Sequence, residues 1–161
     1  MKNLWLLIFT FIIFLLQTTV LKYFSIIGVI PNLLLIMALC FALLKTEFTW
    51  AVIYGILCGM ALDCASGAVF GLHALLCLLS AALCSVISKR FFKGNYPVCM
   101  LFAFVFGLVY ETLYYAATFA PYYDTSTLYV LAFLVLAAIY NAILAPVIFF
   151  VMRHIYPIED D

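Results

Sequence analysis

The spacing of charged residues constrains this chain more than any other feature of its sequence. Lys2 is followed by no charged residue until Lys22, and Lys22 by none until Lys45, which leaves uncharged runs of 19 and 22 residues. A helix rises about 1.5 Å per residue and needs about 20 apolar residues to cross a hydrocarbon core of roughly 30 Å. Each run therefore has the length of one membrane crossing.

The composition supports a membrane protein and opposes a nucleic-acid-binding one. Apolar residues make up 70% of the 161 and charged residues 9%, against roughly half and a quarter in soluble domains. The chain has 7 basic and 7 acidic residues, and its largest basic cluster is Lys89, Arg90 and Lys93. Such a cluster is too small for a nucleic-acid surface. We predict an all-α integral membrane protein.

The remaining charges and turn residues divide the chain into about six helices. Between Glu47 and Lys89 the only charge is Asp63, where a stretch rich in Ser and Gly indicates a tight turn between helices three and four. Pro31-Asn32 predicts a short second helix, preceded by an interfacial segment, 23–30. We predict one transmembrane domain over residues 1–161 with helices at approximately 4–21, 31–44, 48–63, 70–88, 97–119 and 127–152.

Six crossings place both termini on the same side, and the positive-inside rule identifies that side as the cytoplasm. With both termini inside, only Lys22 of the basic residues lies outside. Those inside are Lys2, Lys45, Lys89, Arg90, Lys93 and Arg153. On the outer side, either an aromatic belt or core packing explains the tyrosines. These are Tyr114, Tyr115, Tyr122, Tyr123 and Tyr129.

Two acidic residues in or near the bilayer are candidates for function. An ionisable group there usually faces protein or water, because its exposure to lipid is costly. Asp63 either caps helices at the external turn, together with Ser66, Gly67 and Gly71, or has a functional task.

The second acidic candidate, Glu111, lies in the predicted fifth helix. It either forms interhelical hydrogen bonds or takes part in a relay, for which His73 is a candidate partner. Asn141 is a further intramembrane polar residue.

Small residues form a face on the third predicted helix. Ala51, Gly55 and Gly59 recur every four residues, so another helix can approach closely, either within the chain or from a partner. We interpret the six cysteines as small buried apolar residues, because they lack metal-ligand spacing. The sequence contains no catalytic motif, and we predict neither an enzyme, a cofactor nor a metal site.

Several motifs together resemble the MreD family of rod shape-determining membrane proteins of bacteria. Pro31-Asn32-Leu33-Leu34-Leu35 is similar to the start of that family's second helix. The run from Gly55 to Asp63 is similar to its Gly-x-x-x-Gly-x-x-x-Asp motif, which continues into Ser66-Gly67-x-x-x-Gly71-Leu72. Asn141-x-x-x-Ala145-Pro146 in the last helix is also similar. The most specific part of the resemblance lies between Gly55 and Leu75.

The resemblance implies a non-catalytic subunit of the complex that elongates rod-shaped cells. It implies an MreC-like partner in the bacterial cytoplasmic membrane. Through that partner the subunit would act with a penicillin-binding transpeptidase, a SEDS-type glycosyltransferase and an MreB-like actin during peptidoglycan synthesis. These expectations come from the family and not from the composition.

The rival hypothesis is a substrate-binding subunit of an energy-coupling-factor type vitamin transporter, which also has six helices. Such subunits commonly carry an Ala-x-x-x-Ala face on helix one. Here the first alanine of the chain is Ala38, which disfavours this reading. A vitamin-like ligand near Asp63, His73 and Glu111 is what this hypothesis predicts.

Overall fold

The computed structural model describes residues 2–24, 28–44, 47–67, 69–91, 95–119 and 127–156. Within these ranges the chain forms six α-helices and no β-strand, which confirms the predicted all-helical fold. The helices are α1 (Lys2–Leu15), α2 (Leu33–Leu44), α3 (Phe48–Ser66), α4 (Leu72–Phe91), α5 (Tyr96–Thr118) and α6 (Thr127–Ile155). A π-helical turn, Leu16–Val20, and a 3-10 turn, Leu21–Phe24, extend α1.

The short helix α2 is the centre of the bundle. Every residue from Leu33 to Leu43 is buried, and α2 contacts each of the other five helices. A helix that is apolar on all sides is stable only when it is surrounded. Its 12 residues span about 18 Å, well short of a bilayer core of roughly 30 Å. Its environment is therefore protein rather than lipid.

The outer surface of the bundle is apolar. Large side chains such as Phe11, Leu57, Leu83, Leu101 and Val147 are exposed on five different helices. Among the described residues, α3, α5 and α6 are long and apolar enough to cross a membrane, and the other apolar helical segments are shorter. This surface suits a lipid environment, while the number of crossings stays a prediction.

The start of α1 and the end of α6 lie at the same end of the bundle. A cleft of about 210 Å³ brings Leu6 and Leu7 of α1 together with Tyr156, which directly follows α6. The other residues that line it are Phe41, Trp50, Ile53, Tyr54 and Leu57. The turn between α3 and α4 lies at the opposite end. The predicted basic residues Lys45 and Lys93 fall outside the described residues.

Small residues allow α3 and α4 to approach closely. Ala51, Gly55 and Gly59 are all buried. A Cβ atom on Gly55 would lie 2.8 Å from Ala81 Cβ, and one on Gly59 would lie 2.5 Å from the carbonyl oxygen of His73. Within the described chain, the predicted small-residue face therefore packs against α4, one of the alternatives that the sequence left open.

The turn between α3 and α4 begins one helical turn later than predicted. α3 continues past Asp63 to Ser66, because the Asp63 side chain points towards α4 instead of ending its own helix. Gly67 (φ 62°) then ends α3 in the left-handed conformation, and Gly71 (φ 93°) precedes α4. Glycine adopts these angles without the steric cost of a Cβ atom.

Candidate functional site: a polar cavity at the start of the buried helix

The buried N-terminus of α2 is capped by side chains from three parts of the chain. Asn32 Oδ1 accepts a hydrogen bond from Leu35 N (3.1 Å), and Gln17 Oε1 accepts one from Leu34 N (3.0 Å). Asn141 Oδ1, from α6, accepts one from Asn32 N (2.8 Å). The first amides of a helix have no intrahelical partner and are costly to bury unpaired. These side chains supply the hydrogen-bond acceptors that water would provide at an exposed helix end.

Asp63 caps a second helix at the same end of the bundle. It is 4% exposed, and its two carboxylate oxygens accept hydrogen bonds from His73 N and Ala74 N, each at 3.0 Å. Both donors belong to the first turn of α4, where the helix dipole also favours a negative charge. Asp63 therefore connects α3 to α4 across the turn.

His73 connects α4 to α5 through two tyrosines. Its Nδ1 forms a hydrogen bond with the Tyr110 hydroxyl, and its ring stacks on Tyr114 with centroids 4.5 Å apart. His73 and Tyr110 are both buried. Of the predicted belt tyrosines, Tyr114 thus packs inside the bundle, whereas Tyr129 is exposed. Tyr122 and Tyr123 lie outside the described residues.

These polar groups surround a cavity of about 300 Å³, which we call the polar cavity. It brings Glu111 of α5 together with His73 of α4, two residues that the sequence could not place side by side. Part of its wall consists of the exposed residues Ile30, Ala65 and Ser66, so the cavity is open along that edge. The lining residues are Phe14, Gln17, Thr18, Ile30, Pro31, Asn32, Leu34, Leu62, Ala65, Ser66, His73, Tyr110, Glu111 and Tyr114.

The remaining predicted residues lie at or behind this cavity. Asn141 is 1% exposed and holds Asn32, but its Nδ2 has no hydrogen-bond partner among the described residues. Ser66 Oγ donates a 3.4 Å hydrogen bond to the Asp63 carbonyl oxygen. The cysteine prediction is wrong at one position: five of the six are buried, but Cys64 is exposed, because it follows Asp63 on the outward side of α3.

Sequence reasoning missed Gln17, Gly107 and Tyr110 as parts of this site. Gln17 is the only amide side chain between Leu4 and Leu21, and that isolation in an apolar run is the signal that could have identified it. A Cβ atom on Gly107 would lie 3.3 Å from Asn141 Nδ2, so glycine lets α6 approach α5 there. Tyr110 has no signal in the sequence beyond its position next to Glu111.

An all-helical bundle with an apolar exterior and its polar side chains gathered inside defines a helical membrane protein. A sequence model of the family described as rod shape-determining protein MreD matches residues 1–157. The chain belongs to this family of rod shape-determining membrane proteins, which confirms the resemblance. Comparison with curated proteins and with solved structures finds no match.

The motifs that carried the resemblance meet in space although they are distant in sequence. Asn32 from the first motif is hydrogen-bonded to Asn141 from the last, 109 residues away. Asp63 from the central motif holds His73, which lines the same cavity as Asn32. The three motifs therefore build one polar centre, which fixes the starts of α2 and α4.

Proposed function

We propose that this protein is a non-catalytic subunit of the bacterial cell-elongation complex, bound to an MreC-like partner in the cytoplasmic membrane. The observation that carries the proposal is the family match over residues 1–157. Through its partner the protein supports peptidoglycan synthesis by a penicillin-binding transpeptidase and a SEDS-type glycosyltransferase. An MreB-like actin acts with the same complex from the cytoplasm.

The partner surface in this proposal is a set of helix faces within the membrane. The connection between α2 and α3 spans residues 45–47, that between α3 and α4 spans 67–71, and that between α4 and α5 spans 92–95. Such short connections offer little area to a soluble domain, whereas the exposed apolar side chains on five helices offer a large area. Contact between apolar helix faces is how membrane helices associate.

We further propose six crossings with both termini in the cytoplasm. Lys2 begins α1, Lys89 and Arg90 lie in the last turn of α4, and Arg153 lies near the end of α6. The positive-inside rule then assigns the polar cavity to the outer half of the membrane. A fluorescent protein fused to the C-terminus should fluoresce, and an alkaline phosphatase fused there should be inactive. The reverse pattern would contradict this orientation.

Depletion of the protein tests the proposed role. Rod-shaped cells that lose it should become round or swollen, and the tagged protein should copurify with an MreC-like protein. Depleted cells that keep a normal rod shape would refute the proposal. Neighbouring reading frames for MreB-like and MreC-like proteins are the cheapest supporting observation.

One observation favours the rival transporter hypothesis. The polar cavity is large enough for a small solute and is lined by His73 and Glu111, two of the three residues near which that hypothesis expects a ligand. Loss of vitamin uptake on depletion, with unchanged cell shape, would support it over the elongation complex. A neighbouring gene for a transporter ATPase would do the same.

A further inference from the structure

The described wall of the polar cavity carries an acidic side chain without a basic one. Among the described residues that line it, Glu111 is the only carboxylate, and none is a lysine or an arginine. The Asp63 carboxylate is compensated by two amides of α4, but the described residues supply no hydrogen bond or salt bridge to Glu111. A carboxylate in a bilayer-embedded protein is normally paired with a cation or a donor.

The other groups in the wall suit a small organic cation. Three aromatic residues, Phe14, Tyr110 and Tyr114, line the cavity, and the face of an aromatic ring attracts a cation by about 0.5–2 kcal/mol. The Thr18 hydroxyl donates its own proton to the Phe14 carbonyl oxygen, so its oxygen adds an acceptor for an N–H or O–H group of a ligand. The volume of about 300 Å³ lies at the lower end of the range for ligand sites.

We propose that the polar cavity binds a small ammonium compound, with the Glu111 carboxylate as its counter-ion and the ring of Tyr114 against its cationic head. The chemistry recognises an amine of a few carbon atoms, of the size of choline or ethanolamine. A free amine and the headgroup of an amine phospholipid share this chemistry, and the open edge at Ile30 and Ser66 admits either. This inference goes beyond the proposed role in cell elongation and does not depend on it.

Choline and its neutral isostere, 3,3-dimethylbutan-1-ol, test the proposal. We expect choline to raise the unfolding temperature of the purified full-length protein in detergent in a saturable way. The isostere has the same shape but no charge, so its apparent affinity should be at least tenfold lower. Equal binding of the two compounds, or binding of neither, would overturn the proposal.

Variants identify the residues that bind choline. Glu111→Gln should reduce choline affinity at least tenfold, whereas Glu47→Gln, the same change at an exposed carboxylate outside the cavity, should leave it unchanged. Tyr114→Phe keeps the ring and should retain binding, but Tyr114→Leu should weaken it about threefold or more. Unchanged affinity in a folded Glu111→Gln protein, verified by gel filtration and circular dichroism, would refute the assignment.

Lipid nanodiscs distinguish the two sources of the amine. If a lipid headgroup occupies the cavity, choline should bind more weakly in discs that contain phosphatidylethanolamine than in discs of phosphatidylglycerol alone. Equal affinity in both discs assigns the cavity to a free amine. The absence of choline binding from both kinds of disc contradicts the proposal.

Discussion

The two ends of the bundle are stabilised by different kinds of contact. At one end, the polar cavity is lined by eight polar or charged side chains, of which Gln17 and Asn32 also bind the start of α2, while Asp63 nearby binds the start of α4. At the other end, the cleft between α1 and α3 is lined by Leu, Ile and aromatic residues, and the Tyr54 hydroxyl there shares a hydrogen bond with Thr10. Directional bonds therefore stabilise the first end, and apolar contact stabilises the second.

The contrast between the two ends explains how a helix shorter than the bilayer is held inside the bundle. At its start, two amides of α2 and the amide of the preceding Asn32 donate hydrogen bonds to side chains inside the bundle. At its end, Phe41 packs on the rings of Tyr54 and Tyr156 at centroid distances of 4.5 and 5.6 Å. Substitutions should thus lower the free energy of unfolding more at the polar end than at the apolar end.

The largest loss of stability should come from Gly59→Leu, which disrupts the contact between α3 and α4. A side chain there collides with the backbone of His73 and Ala74, which cannot move away as a flexible side chain would. We expect a loss of more than about 3 kcal/mol in the free energy of unfolding, measured by denaturant titration in detergent. Met60→Leu, at the exposed neighbouring position, is the control. Equal stability of the two variants would show that α3 and α4 tolerate separation.

Asp63→Ala should have the next largest effect. It removes both acceptors from the first turn of α4, and hydrogen bonds to charged groups contribute about 1.5–3 kcal/mol each. We expect a loss of about 3 kcal/mol in the same titration. Asp63→Asn keeps one acceptor oxygen and should lose about half as much. If Asp63→Ala were as stable as the parent, the capping role would be wrong.

Asn141→Ala should cost about 2 kcal/mol, because it leaves the buried Asn32 amide without an acceptor. Ser66→Ala serves as its control, since Ser66 is exposed and forms only a 3.4 Å hydrogen bond, so its loss should stay within about 0.5 kcal/mol. Hydrogen exchange should also increase at the first turn of α2 in Asn141→Ala alone. Equal losses in both variants would argue against the connection between α6 and α2.

A pair of tyrosine substitutions compares the two ends directly. These substitutions should give the smallest losses in the free energy of unfolding. Tyr110→Phe removes the partner of the buried His73 Nδ1 and should cost about 1.5 kcal/mol. Tyr54→Phe should cost less than about 1 kcal/mol, because Thr10 keeps its 2.7 Å bond to the Leu6 carbonyl oxygen. A larger loss at Tyr54 would reverse the comparison between the ends.

The sequence predicted the positions of the helices along the chain better than it predicted which face of each helix points inward. Charge spacing and Pro31-Asn32 indicated six helices with a short second one, because the cost of charge in lipid leaves a strong linear pattern. Which face of a helix points inward is a periodic signal, and it is weak when nearly every residue is apolar, as from Leu33 to Leu44. The placement of Glu111 and His73 in the wall of one cavity depends on the rotations of their helices. Tyr110 was missed for the same reason, whereas Gln17 stands out in the sequence as the single amide of an apolar run.

The bond between Asn32 and Asn141 also has a consequence for biosynthesis. Asn32, directly before α2, leaves the ribosome well before α6, which carries the acceptor for the Asn32 amide. Until α6 inserts, the Asn32 amide lacks the acceptor that it has in the complete bundle. Insertion of α6 therefore also completes the capping of α2, and a chain that stops before α6 lacks this bond.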